Sequence, residues 1–366
     1  MNVTIYTPLD PTLIGGMRTW LDSFWRPIAR SGSIALRVVH SGTRPSSESA
    51  AYSPLTGVPW TVREIPGRAM PGTNAKLPAV AELAQAFEGS DVVYVDNGYV
   101  FQDWTALRAA RSVRARVVSG HHSVILHDNA SAEGMLHNAA WLLSGRRCIP
   151  RFDAVHALNE TDAAYLRSCG ARAAAVIPLP VDRTVFAPGA KNAAFTVLFA
   201  GRLHRQKGVD RLVRLVEGYA ARDPSVRFRI AGAGAEESRL RGFAQRETVT
   251  LLSALPRERM AEEMRSAHVL AAPSRTETFG FAAAESLSSG TPVVCSDTHG
   301  FRDLIDGTNG TIVRRPDAAD AWIAAIEALR RDPQQYRSMC ERARTSTARL
   351  AIEPLARDML AFLGAR

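Results

Sequence analysis

Two glutamates, Glu277 and Glu285, stand eight residues apart in TETFGFAAAESLSSGTPVV (276–294), a stretch otherwise small, apolar or hydroxylated. A run this apolar reads as buried structure, and an ionised carboxylate is rarely buried without a partner. A carboxylate offers two acceptor oxygens, which match the vicinal hydroxyls of a ribose or a hexose. Pairing with some of the chain's many arginines would use the same groups differently. Upstream, FAGRLHRQKGVDRLVRLV (199–216) puts Arg202 and Lys207 on one loop, then Gly208. An amphipathic helix follows, with Val209, Leu212, Val213 and Val216 on its inner face. Arginine brings forked donors and lysine a point charge, a combination suited to a diphosphate. Ordinary surface cations at a helix entrance would give the same spacing.

The layout around the two acids is a strand, the loop RTETFG, then a helix beginning near Phe281 with Gly280 as the flexible point before it. Backbone N–H groups of Phe279, Gly280 and Phe281 are unpaired at such a start and can donate to a ligand. RIAGAGAEE (229–237) is a glycine-rich turn after a strand and not a full GxGxxG. Gly232 there suits either a nucleotide approaching the backbone or a tight strand-to-helix turn. In the first half, LIGGMRTW sets Gly15 and Gly16 in the loop after the first strand, where amides can approach an anion. VVSGHHSVILHD sets His121 and His122 directly after a strand, at a sheet's carboxyl edge.

These groups need elements to hold them. Strands are expected at 3–7, 35–41, 61–65, 91–96, 115–120, 154–158 and 174–179. Helices are expected at GMRTWLDSFWRPIARS (16–31) and NAKLPAVAELAQAFE (74–88) among them. Alternation of this kind implies a parallel sheet covered on both faces. PLPVDRTVFAPGAKNAAF (178–195) carries three prolines and a glycine and reads as a linker. Strands then recur at 196–201, 227–232, 250–255, 269–274, 292–297 and 310–313, followed by a helical tail. The expected domains are 1–185 and 186–350, with 351–366 a C-terminal helix packing back on the first. Two α/β sheets joined by a linker leave a cleft, and open α/β sheets bind ligands at their strands' carboxyl ends.

Composition narrows the classes. The chain has 366 residues, 46% hydrophobic and 22% charged, as in an ordinary globular protein. No apolar run is long enough to span a bilayer. MNVTIYTPLDPTL reads as a first strand and not as a signal peptide. Cys148, Cys169, Cys295 and Cys340 form no CxxC pair, and a reducing cytosol suits them. The net charge is +9, with 42 arginines and three lysines. A solvated basic surface accounts for that charge, and attraction to phosphates of a nucleotide or an anionic lipid surface also uses it. No basic run with interleaved aromatics points to nucleic acid.

Taken in order, these pieces resemble the family 4 retaining glycosyltransferases of GT-B fold. FAGRLHRQKGVD is similar to the family's glycine–arginine…lysine–glycine loop. SRTETFGFAAAESLSSGTPVVCSD is similar to its Glu-x7-Glu segment, with GTPVV as the next strand. FDAVHALNETDAAYLRSCG and VIPLPVDRTVF resemble the end of its N-terminal domain. The resemblance spans most of residues 1–315 and is densest over 197–297. Where the family pattern has Asn-Gly after Ile-Pro, this chain has Leu179-Pro180.

The resemblance implies two Rossmann-like domains, an acceptor-binding one and a donor-binding one, with parallel sheets facing across a cleft. It implies transfer of a hexose-type sugar from a nucleoside-diphosphate sugar, UDP-sugar first and GDP-mannose next, to an acceptor hydroxyl with retention. Arg202 and Lys207 would bind the donor diphosphate, and Glu285 the ribose. Glu277, with the backbone of Phe279, Gly280 and Phe281, would face the donor sugar. Gly15 and Gly16 would sit beside the diphosphate. His121 would match the histidine near the sugar, with His122 the competing choice. Asp-x-Asp, the metal-holding motif of the other major fold, occurs nowhere in the chain. Neither metal nor cofactor is therefore expected. The acceptor would be a small molecule, a glycan or a lipid, with a cytoplasmic location and peripheral contact at the inner membrane face. The rival readings are a nucleotide-sugar 2-epimerase of the same architecture and a non-enzymatic two-lobed binding protein. An NAD-dependent dehydrogenase is opposed by the missing GxGxxG after the first strand.

Overall fold

The computed structural model describes residues 1–8, 10, 20–41, 57–69, 76–96, 100–122, 135, 138–139, 141–243 and 245–364. The chain divides into two compact units. One comprises Met1–Pro180 together with Ile352–Arg366, and the other Val181–Ala351.

The first unit is built on strands β1 (Asn2–Thr7), β2 (Ala35–His40), β3 (Trp60–Glu64), β6 (Val92–Asp96), β7 (Arg116–His121), β8 (Ala154–Ala157) and β9 (Ala174–Val176). Two further short strands, β4 (Arg68–Ala69) and β5 (Lys76–Leu77), pair antiparallel by themselves. The large sheet runs β3-β2-β1-β6-β7-β8-β9, and every neighbouring pair in it is parallel. Every residue of β6 and β8 is buried, which is why both read as unbroken apolar runs and do not alternate. The helix Val80–Phe87 buries Leu83, Ala86 and Phe87 against one face. On the other face lie Trp20, Phe24 and Trp25, with the C-terminal helix Ile352–Leu363 packed against that segment.

The second unit carries β10 (Thr196–Ala200), β11 (Arg227–Ala231), β12 (Val249–Leu252), β13 (Val269–Ala272), β14 (Val293–Ser296) and β15 (Gly310–Val313). Its sheet runs β12-β11-β10-β13-β14-β15, again parallel throughout. The helix Val209–Arg222 buries Val209, Leu212, Leu215, Val216 and Tyr219 on one face. Burying apolar side chains of this size stabilises by roughly 1.5–3 kcal/mol each, so this face alone anchors the loop that precedes it.

All thirteen expected strands are present, with no end shifted by more than three residues. Helix limits need correction. Lys76–Leu77, inside the expected helix 74–88, is a strand, and the helix begins only at Val80. Pro78 disfavours helical backbone at Leu77 and leaves it extended. In 16–31 the described part is helical, but Leu21–Trp25 is a π-turn ahead of Pro27. Proline lacks the N–H that a regular turn needs, and the ladder widens locally to absorb it. On the inner face of Val209–Arg222, Val213 is only half-buried, and Leu215 takes the place expected for it.

Both sheets share one topological property. Strand order reverses between β1 and β6 in the first unit, and between β10 and β13 in the second. At such a reversal the connections leave in opposite directions, and the carboxyl ends of the two strands flank a crevice.

Candidate active site

In the second unit the crevice lies beyond Ala200 of β10 and Ala272 of β13. The loop after β10 carries Arg202 and Lys207, and the loop after β13 carries Glu277. Lys207 Nζ donates to Glu277 Oε2 at 2.6 Å, and Ser274 Oγ donates to the same oxygen at 3.3 Å. The two loops are tied further. Arg275 N donates to Gln206 O at 2.8 Å, and Gln206 Nε2 to Thr276 Oγ1 at 2.9 Å. Arg275 also pairs with Asp210 at 2.7 Å. Beneath them the buried Arg211 donates to the carbonyl of Pro273 at 3.2 Å and pairs with Asp317 at 2.9 Å. Arg202, by contrast, is exposed, and its guanidinium has no partner among the described residues.

Two glycines fix these loops. Gly208 has φ of +71° and caps the helix Val209–Arg222; a Cβ there would overlap the carbonyl of Pro273. Gly280 has φ of +87° and caps the helix Phe281–Ser288. Both conformations favour glycine. The helix therefore starts at Phe281, as its sequence suggests. The amides of Phe281, Ala282 and Ala283 find no acceptor among the described residues, as in an open first turn. Phe279 is buried and meets the half-buried Phe281 edge to face at 5.4 Å.

Glu285 lies on the second turn of that helix. Its carboxyl is half-buried and has no hydrogen-bond or ion-pair partner among the described residues. Burial pushes its pKa up to about 8, and the positive field of Arg257 only partly offsets this. An unpaired, desolvated carboxyl in this position is a strong acceptor for hydroxyl donors. Gly232 follows β11, and a Cβ on it would overlap the carbonyl of Gly201. Leu203 N donates to Ala233 O, and Glu236 N to Leu203 O, both at 2.9 Å. Packing of one loop's backbone on the other's thus demands glycine at 232 by itself.

The first unit holds the histidines. Gly15 and Gly16 lie outside the described residues. His121 ends β7, buried, with the edge of Trp141 6.1 Å from it between ring centres. Neither of its ring nitrogens has a hydrogen-bond partner among the described residues, and burial lowers its pKa to about 3, so it is a neutral imidazole. His122 points to the opposite face of the sheet, against Trp20 at 4.7 Å. Its Nε2 is 3.8 Å from Asp96 Oδ1. The two histidines therefore belong to different faces. Sequence reasoning missed the groups around His122. Asp96 ends β6, fully inside, and accepts a hydrogen bond from Thr7 Oγ1 at 3.1 Å. Tyr94 OH and His156 Nε2 are 2.6 Å apart. A Cβ at Gly120 would strike both, which explains the glycine between the strand's buried serine and histidine. The only sequence signal for Asp96 is an acid closing the β-branched run DVVYVD at a carboxyl edge.

Among the described residues no group of three His, Cys, Asp or Glu side chains is placed to hold a metal, and all four cysteines are free. No helix among them is long and apolar enough to cross a membrane.

Comparison with known proteins fits this geometry. A family described as glycosyl transferases group 1 matches residues 181–346, and one described as glycosyltransferase family 4 matches residues 14–185. The chain is 32% identical to a D-inositol 3-phosphate glycosyltransferase of Nocardiopsis dassonvillei, across 91% of this chain and 86% of that one. It is 27% identical to the protein of the same name from Stackebrandtia nassauensis, across 96% and 86%. In fold it is similar to a sucrose-phosphate synthase from Thermosynechococcus elongatus, with a TM-score of 0.77 at 21% identity over 98% and 97% of the chains. It is also similar to Anabaena HepE solved with UDP-glucose, with a TM-score of 0.76 at 18% identity over the whole of both. Two parallel α/β units, each with its polar groups at a strand-order reversal, and family matches along nearly the whole chain lead to one conclusion: this chain belongs to the family 4 glycosyltransferases and is a glycosyltransferase of GT-B fold.

Proposed function

We propose that the protein transfers a hexose-type sugar from a nucleoside-diphosphate sugar to an acceptor hydroxyl with retention of anomeric configuration. UDP-sugar is the favoured donor and GDP-mannose the next. The observation that carries this reading is the second unit's crevice. A cationic loop, an open helix start and the unpartnered carboxyl of Glu285 all lie at the carboxyl edge of one sheet. HepE, similar in fold, was solved with UDP and with UDP-glucose.

In this reading Arg202 and Lys207 receive the diphosphate and stabilise the charge that grows on it as the sugar leaves. Amides at Phe281 and beyond add fixed dipoles of the same sign. Glu285 accepts hydrogen bonds from the ribose hydroxyls. Glu277 holds Lys207 in place and presents its second oxygen to the sugar. The acceptor hydroxyl arrives on the face the diphosphate leaves, and its proton passes to a leaving-group phosphate oxygen. These groups do the work that a metal does elsewhere, so chelators leave turnover unchanged. The acceptor is a hydroxylated small molecule, glycan or lipid headgroup. Peripheral contact with an inner membrane face is part of the same reading. It is supported by Leu142 and Leu143, exposed by 42% and 66%, beside the exposed Arg146 and Arg147.

The test is incubation with a panel of nucleotide sugars, scoring free nucleoside diphosphate with and without acceptor, in the presence and absence of EDTA. Product anomers are then read by NMR. Release from no donor sinks the transfer reading, and an inverted product sinks retention.

A further inference from the structure

The second unit's reversal point is absorbed by the donor reading, but the first unit has its own. It lies between β1 and β6, and the residues ending those strands are Thr7 and Asp96. Thr7 Oγ1 donates to Asp96 Oδ2 at 3.1 Å. The ring of His122, one residue past the next strand, stands with Nε2 3.8 Å from Asp96 Oδ1. That gap is too long for a hydrogen bond, and Nε2 has no other partner among the described residues. A buried carboxylate has roughly four acceptor positions, and Asp96 receives one donor among the described residues.

The surroundings say what kind of group fits. Tyr94 on the same strand and Asp103 on the helix Val100–Ser112 both feel the Asp96 charge, and neither supplies a cation. The imidazoles nearby are neutral, since burial lowers His121, His122 and His156. Desolvation raises the Asp96 carboxyl to about 7. Among the described residues a phosphate placed here would meet carboxyl groups and no positive charge. A neutral hydroxyl would donate to Asp96 and accept from His122 if that ring carries its proton on Nε2.

We propose that Thr7, Asp96 and His122 form a subsite for a neutral hydroxyl of a polyol or sugar acceptor, with Asp96 as the carboxylate that accepts its hydrogen bond. This rests on the transferase reading and sharpens it. The relatives' name includes a phosphorylated inositol; at this subsite a free hydroxyl is recognised, and none of Thr7, Asp96 and His122 brings a charge suited to a phosphate. Buried acceptors left unpaired discriminate strongly against ligands that lack the donor.

The experiment measures binding of myo-inositol, glucose and glycerol to the full chain by saturation-transfer NMR, alongside UDP binding by calorimetry. The expected result is that the wild type binds at least one polyol. Asp96→Asn should weaken that polyol by about tenfold or more, the loss of a hydrogen bond to a charged group. Asp96→Glu should recover part of it, and Thr7→Val should weaken it less. UDP affinity should stay within about twofold in all three, since neither Thr7 nor Asp96 is among the residues the donor reading assigns to UDP. A thermal melt confirms that each variant is folded; if Asp96→Asn is not, Thr7→Val and His122→Gln carry the test. Polyol affinity unchanged in Asp96→Asn, or no polyol bound by a wild type that binds UDP, overturns the subsite. Polyol binding without any UDP binding supports the subsite and overturns the donor reading instead.

Discussion

Lys207 Nζ donates to Glu277 Oε2 across 2.6 Å, and this pair closes the loop after β10 onto the loop after β13. The sequence offered these residues as two separate parts, a cation for phosphate and an acid for sugar. They are one device: the acid orients the cation. The side chains are 24% and 15% exposed, so the pair is neither a surface bridge nor a sealed one. Lys207→Ala is expected to lower UDP affinity by about tenfold while costing only about 1 kcal/mol of stability. Glu277→Gln should keep most of the stability, and a double-mutant cycle of UDP affinity should be non-additive. Calorimetric titration and urea unfolding of the four proteins check both claims.

Glu285 gives a pH signature. Its folded pKa is about 8, above the ordinary carboxyl value of 4.5. The folded protein therefore holds a proton that the unfolded chain has released between those limits. Stability from this group is present below about pH 4.5 and falls as pH rises towards 8. The loss is at most about 5 kcal/mol by the usual conversion of pKa difference to free energy. Glu285→Gln should flatten that slope and leave the variant more stable than the parent at pH 8. If ribose hydroxyls donate to the carboxylate, UDP binding at pH 7 releases a proton. Calorimetry in buffers of different ionisation enthalpy should detect that release in the parent and not in Glu285→Gln.

Gly208 is where backbone geometry leaves no choice. Alanine there must hold φ of +71° and displace the Pro273 carbonyl. Gly208→Ala is expected to destabilise by about 2–4 kcal/mol. Gly242 has ordinary helical backbone and nothing within 4 Å of its Cβ position. Gly242→Ala should be neutral or slightly stabilising. Urea midpoints of the two variants test the contrast.

Tyr94 and His156 make a buried pair whose other ring nitrogen, Nδ1 of His156, is already unpartnered. Tyr94→Phe keeps the ring and removes the hydroxyl. Leaving Nε2 unsatisfied as well should cost about 1–3 kcal/mol. A midpoint shift below a few tenths of that would show the pair contributes nothing.

The fold was legible because parallel strands buried on both faces announce themselves. DVVYVD and TVLFAG need no alternation to be read. What blurred was local: Leu77 ahead of Pro78, and the turn before Pro27, where one imino acid outweighs helical periodicity. In the candidate site, the placement of Arg202, Lys207, Gly208 and Gly280 was legible, because all four lie on loops that run from a strand to a helix start. Arg211 was not. It reads as a surface cation on a helix, yet it is buried and holds the Pro273 carbonyl. Asp96 and His156 were passed over for the same reason: a single polar residue in a strand has no periodicity to mark it. Gly232 is legible twice over, and the packing of Gly201 on it accounts for its identity with no ligand at all.

The chain leaves its first unit at Pro180 and rejoins it at Ile352, and Val181 N meets Leu350 O at 2.9 Å where the second unit begins and ends. In genetic terms the second unit is a cassette with adjoining ends, whereas the first is assembled from the segments on either side of it. A fragment cut at the linker would strip the first unit of the helix whose Phe362 packs on His156. That helix follows the whole second unit in the chain, so the first unit cannot complete its fold until Ile352–Leu363 has been synthesised.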